Sequence, residues 1–163
     1  MILTVTINPL LERRYSYQSL DLSTVNRNGK LIIKAGGKGI NVNRQLNKLG
    51  VKNIALLFTG GTNGKLLRET LREEKIFFSE IVTKNETRES AIIIDKSDEK
   101  IYSFFGTDTL ISSNEASEFI SKLEKAISTC EIVAFSGSSP CKETDSIYAE
   151  GINIANKLDK ISV

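Results

Sequence analysis

Ala35-Gly36-Gly37-Lys38-Gly39-Ile40-Asn41-Val42-Asn43-Arg44-Gln45-Leu46-Asn47-Lys48-Leu49-Gly50 is the stretch whose reading decides the fold. Val42, Leu46 and Leu49 recur at helical spacing, and Gly50 can end a helix in the left-handed conformation without a steric penalty, so the glycines open a helix. Bunched at that start, they let the backbone come close to a ligand, and the free N–H groups of the first turn point at it with the positive end of the dipole. The natural guest is an anion. Lys38 adds a mobile positive charge and Asn41 an amide that donates and accepts, a pair suited to phosphate and hydroxyls together. A plain tight turn would use the same glycines. Two other readings fail: the Rossmann fingerprint needs a glycine where Val42 stands, and the later Gly60-Gly61-Thr62-Asn63-Gly64-Lys65-Leu66 lacks the gap and the Ser/Thr of a P-loop.

Outward from this helix the chain alternates. Residues 2–7 read as a buried strand that stops at Asn8-Pro9, because proline cannot continue a central ladder. Glu12 and Arg14 then fall at the strand's carboxyl end, the edge at which open α/β sheets bind ligands, although a solvated loop would carry the same residues. Residues 53–58 read as an apolar strand, Leu66, Leu67, Thr70 and Leu71 as one face of a helix, and 76–82 as a strand. Ser112 and Glu115 form a capping box before a helix marked by Ala116, Phe119, Ile120, Leu123 and Ile127. Another strand, 131–136, runs into the polar, proline-punctuated loop Ser136-Gly137-Ser138-Ser139-Pro140. A last helix carries Ile147, Gly151, Ile154 and Leu158, and Ile161-Ser162-Val163 follow. Strands alternating with helices imply an α/β fold, a mostly parallel sheet with helices on both faces and right-handed crossovers.

Four short runs stand outside that alternation: 15–20 and 30–34, joined by a turn-rich segment, and 90–95 and 100–105, joined by the polar tip Lys96-Ser97-Asp98-Glu99. They predict a separate small sheet.

The 163 residues suffice for one domain with a real core, and 40% hydrophobic with 26% charged residues excludes a disordered or fibrous chain. Lysines and arginines interleave with acids for a net charge of +2, which gives no electrostatic footprint for nucleic acid. Histidine is absent, removing Ser-His-Asp and Cys-His chemistry and the commonest transition-metal ligand. Cys130 and Cys141 fit no zinc spacing and read as reduced thiols. The amino terminus reads as a strand, with no signal-peptide pattern, and no long apolar run follows, so the expectation is a cytoplasmic, globular protein with no membrane contact.

Gly36-Gly37-Lys38-Gly39 followed by Asn41-Val42 resembles the amino-terminal signature of the phosphofructokinase B-type carbohydrate kinases, in the ribokinase-like superfamily. Asn8-Pro9, Thr87-Arg88 and Ser136-Gly137-Ser138 fall in the same order as in that family. The resemblance implies a ribokinase-like sheet with a small β-sheet lid formed by the strands near 15–34 and 90–105, and a lid that often doubles as a homodimer contact. It implies phosphoryl transfer from ATP, with magnesium, to a hydroxyl of a ketohexose phosphate such as tagatose 6-phosphate or fructose 1-phosphate.

Carried over by residue, the resemblance puts Glu12 where the family has an aspartate for the sugar hydroxyls, one methylene longer. It puts Gly37, Lys38 and Asn41 at the sugar phosphate. Arg88 corresponds to a substrate-phosphate arginine, suited to the two parallel hydrogen bonds a guanidinium offers, though a surface ion pair would also account for it. Ser138 would add a hydroxyl contact. Arg27 falls where some members offer a lid arginine to the neighbouring subunit's phosphate, and a solvent-facing arginine is the plainer account of it. The family's Asp-Thr-x-Gly-Ala-Gly-Asp motif, which carries the anion hole and the base, and the Asn-x-x-Glu motif associated with magnesium do not occur here. The expectation is an amino-terminal, truncated half with no catalytic residue or metal ligand of its own, inactive alone; the other reading is a stand-alone module that binds a sugar phosphate or dimerises through the lid.

Overall fold

A computed structural model describes residues 1–163. Strands β1 (Ile2–Thr6), β4 (Asn53–Gly60), β5 (Phe78–Thr83), β8 (Ile132–Phe135) and β9 (Ile161–Ser162) form one sheet in the order β5-β4-β1-β8-β9. Every neighbouring pair in it is parallel. Such strands are covered on both faces and read as continuous apolar runs, which is how residues 53–58 read.

Helices α1 (Lys38–Lys48) and α2 (Gly61–Glu73) cover one face, where Ile40, Leu67 and Leu71 meet Ala55 and Leu57. Helices α3 (Ser113–Ser128) and α4 (Ile147–Lys157) cover the other, where Phe119, Leu123, Ile127 and Ile147 pack on Leu3, Val5, Leu56 and Val133. The capping box is formed: the Ser112 hydroxyl accepts from the Glu115 N–H while the Glu115 carboxylate accepts from the Ser112 N–H. No helix is long and apolar enough to cross a membrane.

The second sheet runs β3-β2-β6-β7, from β2 (Leu10–Tyr17), β3 (Lys30–Gly36), β6 (Glu89–Asp95) and β7 (Lys100–Phe105). Its two antiparallel pairs are joined side by side through a parallel β2–β6 ladder. Several boundaries differ from the sequence reading. The strand expected over 15–20 begins at Leu10, so Glu12 and Arg14 lie inside it, not in a loop after β1. β1 ends at Thr6 and the chain re-enters a ladder directly after Pro9, and the charged Glu12-Arg13-Arg14 run hides the strand because opposite faces each hold an arginine and its acid. Helix α1 also differs: its buried positions are Gly39, Ile40 and Asn43, while Leu49 is exposed just past its end.

The helix is seated by a polar chain. Thr4 Oγ1 donates to Asn43 Oδ1 at 2.7 Å, Asn43 Nδ2 to Asn53 Oδ1 at 2.8 Å, and Asn53 Nδ2 to Asn47 Oδ1 at 2.7 Å. Buried amides satisfied in this way tie α1 to β1 and β4 in one register, which fixes where its first turn opens.

Candidate functional site

The first turn of α1 opens into a cleft of about 250 Å³, lined by Thr6, Asn8, Glu12, Gly37, Lys38, Asn41, Arg88, Phe105 and Ser138 among others. It lies between the carboxyl ends of β1 and β8 and the inner face of the four-stranded sheet.

Gly37 sits before the helix at φ 137°, a conformation reserved for glycine, and a Cβ there would stand 2.8 Å from Thr6 Cγ2. A Cβ on Gly39 would come within 2.2 Å of Thr6 Oγ1. The two glycines therefore bring the helix start down onto β1. The helix has no side-chain cap and no acidic residue in its first turn. Its leading N–H groups are left without intrahelical acceptors, carrying the positive end of the dipole. Asn41 lines the same cleft, and its Oδ1 accepts from Arg44 Nη1 at 2.6 Å, which leaves its NH₂ as the end available to a ligand.

Arg88 enters from the opposite wall. Its Nη1 donates to Asp108 Oδ1 at 2.7 Å, its Nη2 to the Asn8 carbonyl at 3.2 Å, and its guanidinium lies 5.9 Å from the Phe105 ring centre. Asn8 Nδ2 donates to both Asp108 Oδ1 and Ser138 Oγ, at 3.0 and 3.2 Å. Ser138 follows β8, in a loop held by Tyr148, whose hydroxyl donates to the Ser136 carbonyl at 3.0 Å. Burial pushes the Tyr148 phenol up to about 12, so it stays a neutral donor. Glu12 reaches the cleft from β2, its Oε2 accepting from Arg14 Nε at 2.8 Å.

The residues just before Arg88 are held by the second glycine-rich turn. Gly60 N–H donates to Thr87 Oγ1 at 2.8 Å, Thr87 N–H to the Gly60 carbonyl at 3.0 Å, and Asn63 Nδ2 to the Thr87 carbonyl at 3.1 Å. The Glu86 carboxylate accepts from the Asn63 N–H, in the first turn of α2. One helix start is thus filled by the chain's own acid, and the other is open.

Four buried side-chain polar atoms in the molecule lack a partner: Thr6 Oγ1, Asn8 Oδ1, Arg88 Nε and Ser90 Oγ. Three belong to cleft-lining residues, and Ser90 stands beside Glu12 in register. Orphaned buried groups are rare and costly, so their concentration here calls for an unseen partner.

Six of the seven residues singled out from sequence, Glu12, Gly37, Lys38, Asn41, Arg88 and Ser138, line this cleft. Arg27 does not; it is exposed on the connection between β2 and β3. Sequence reasoning missed Thr6, Asn8, Asp108 and Phe105 as site residues. Asn8 could have been found through Asn8-Pro9, whereas Asp108 carries no local signal.

Residues 11–163 match the pfkB family carbohydrate kinases, and the chain belongs to that family. It is 32% identical over its whole length to tagatose-6-phosphate kinase of Staphylococcus epidermidis, of which it covers 52%. Among solved structures it superposes at a TM-score of 0.91 and 31% identity on a Thermotoga maritima protein described as a possible 1-phosphofructokinase, covering 99% of this chain and 52% of that one. Phosphofructokinase-2 of Escherichia coli in complex with fructose-6-phosphate has the same fold at a TM-score of 0.86 and 23% identity, with 99% and 53% covered. The fold is thus that of the ribokinase-like pfkB kinases, and the chain spans about half the length of these relatives.

Proposed function

We propose that these 163 residues form the sugar-phosphate-binding half of an ATP-dependent sugar-phosphate kinase, acting on a ketohexose phosphate such as tagatose 6-phosphate or fructose 1-phosphate. The observation that carries this reading is the pairing of an uncapped helix start with unpartnered buried groups on the facing walls, Thr6 Oγ1, Asn8 Oδ1 and Arg88 Nε. Such a surround suits one anionic group flanked by hydroxyls.

In this reading the phosphate sits on the first turn of α1, with Lys38 and Arg88 on it. Asn41 and Ser138 take hydroxyls or phosphate oxygens, and Asn8 offers Oδ1 to a hydroxyl proton. Glu12, already engaged by Arg14, accepts from a sugar hydroxyl with its remaining lone pairs. Together these contacts orient the sugar and hold its reacting hydroxyl toward the nucleotide side, which is where positioning contributes to phosphoryl transfer.

ATP, when bound, supplies the phosphoryl group, and magnesium would neutralise its charge. The residues of this cleft do not fit a magnesium site, because its one lining carboxylate, Glu12, and the adjacent Asp108 are each paired to an arginine, at 2.8 and 2.7 Å. A second reading, a module that binds the sugar phosphate and dimerises through the lid without chemistry, draws on the exposed Ile32, Ile101 and Phe105 of that sheet.

The test is co-expression with the carboxyl-terminal half of the Staphylococcus epidermidis relative. ATP-dependent turnover of a ketohexose phosphate that appears only with both halves, and falls with Arg88→Ala, is the expected outcome. Reassembled turnover indifferent to Arg88→Ala, or robust turnover by this chain alone, would contradict the proposal.

A further inference from the structure

At the far end of α1 from the sugar cleft lies a broad surface cleft of about 820 Å³, lined by Lys34, Arg44, Lys48, Lys52 and Lys75 and by one carboxylate, Glu74. Glu74 is already engaged, its two oxygens accepting from Arg44 Nε and Nη2 at 2.6 and 3.0 Å. None of the four lysines stands within ion-pair distance of any carboxylate. Both α1 and α2 end here, with Lys48 and Arg72 in their last turns, and lysines often gather at helix ends to face the negative dipole. Two such ends are worth about one negative charge together. After Glu74 and the dipoles are counted, roughly three positive charges remain uncompensated.

The floor is built. Asn47 Nδ2 donates to the Lys75 carbonyl at 3.2 Å and Asn47 Oδ1 accepts from Asn53, so the ends of the two helices are locked together. One residue reaches from this cleft toward the sugar cleft. Arg44 donates to Glu74 on one side and to the Ala35 carbonyl and Asn41 Oδ1 on the other, and Asn41 lines the sugar cleft.

We propose that this basic cleft is a second anion site, for a small molecule bearing two or more phosphate-type charges, and that Arg44 couples it to the sugar cleft. An anion drawing the guanidinium toward itself loosens its hold on Asn41 and weakens sugar-phosphate binding. The coupling rests on the sugar-phosphate reading of the first cleft; the anion site does not.

Pyrophosphate, AMP and magnesium-free ATP are titrated separately into the isotope-labelled 163-residue chain, followed by backbone amide shifts and calorimetry. The three arms show whether the diphosphate suffices or a nucleoside adds affinity. Shifts at Lys48, Lys52 and Lys75 are expected, with affinity that falls as salt is raised. The triple variant Lys48→Gln/Lys52→Gln/Lys75→Gln, at exposed positions, weakens pyrophosphate by about tenfold or more. Shifts confined to Gly37–Asn41 and Arg88, or none at millimolar anion, overturn the site. Saturating pyrophosphate should weaken the hexose phosphate titration by about threefold or more in the wild type and far less in the triple variant. Equal weakening in both means direct competition in the sugar cleft and overturns the coupling.

Discussion

Under the proposed function, Thr6 is the simplest case of a residue that serves a ligand at the fold's expense. Its hydroxyl is buried beneath Gly39 with no partner, and an unsatisfied buried polar group costs about 1–3 kcal/mol. Thr6→Val keeps the shape and removes that burden, so the variant is expected to melt at the same or a higher temperature while hexose phosphate affinity falls about five- to tenfold. Equal loss of stability and binding would make Thr6 a packing residue only. The Asn8 side chain stands in the same position, its Nδ2 donating twice and its Oδ1 accepting nothing. Asn8 could be reached from sequence only through the Asn8-Pro9 pair, and Thr6 not at all. In β1 Thr6 is one of the alternating threonines of a strand, and its meaning depends on the glycines that lower α1 onto it. Lys38 and Asn41 were legible as cleft residues because a glycine-rich helix start carries its chemistry in local order, and Arg88 was reached through the family resemblance. Arg27 is exposed on the turn-rich connection between β2 and β3, a placement compatible both with a plain surface arginine and with one offered to a neighbouring subunit.

Among the elements, α2 and α3 both work on the segment that delivers Arg88. At α2 the Gly61 backbone lies at φ 62°, and a Cβ there would stand 2.0 Å from Glu86 Oε2. Gly61→Ala should cost about 1–2 kcal/mol and weaken hexose phosphate binding from outside the cleft by displacing Glu86 and Thr87; calorimetry and thermal melts on one sample check both. At α3 the Glu115 carboxylate also accepts from the Lys84 N–H at 2.7 Å. Burial alone would raise its pKa, but hydrogen bonds from the Ser112 hydroxyl and N–H and from Lys84 outweigh that and hold it below the usual value. A depressed folded-state pKa gives stability that is complete above the unfolded value of about 4.3 and is lost as pH falls through the folded value. Ser112→Ala is therefore expected to cost about 1 kcal/mol at neutral pH and less in acid below pH ~4, read from denaturant melts across that range. The capping box was visible in sequence because both partners are three residues apart. The parallel β2–β6 ladder was not, since nothing local in Glu12-Arg13-Arg14 announces a partner strand so far along the chain.

For the whole molecule, two cores on opposite faces of a parallel sheet were predictable from the alternation of apolar runs, and the four-stranded sheet from the runs left over. What those runs cover was not. Ile32 and Ile101 share the cleft-side face of that sheet with Phe105 by register, and all three are exposed. An apolar face of this kind predicts self-association. Light scattering should give a mass above the 18.0 kDa monomer at high concentration, and Ile32→Asp/Ile101→Asp should shift it toward the monomer; a monodisperse wild-type monomer would count against it.

The central claim is that the cleft between α1 and the four-stranded sheet holds the phosphate of a sugar. Calorimetric titration of the chain with tagatose 6-phosphate, fructose 1-phosphate and unphosphorylated fructose tests it most directly. A hydrogen bond to a charged group is worth about 1.5–3 kcal/mol, so Arg88→Ala should weaken a hexose phosphate by roughly ten- to a hundredfold while the free sugar binds poorly to both proteins. Hexose phosphate affinity unchanged in a folded Arg88→Ala variant, or equal affinity for fructose with and without its phosphate, would contradict it.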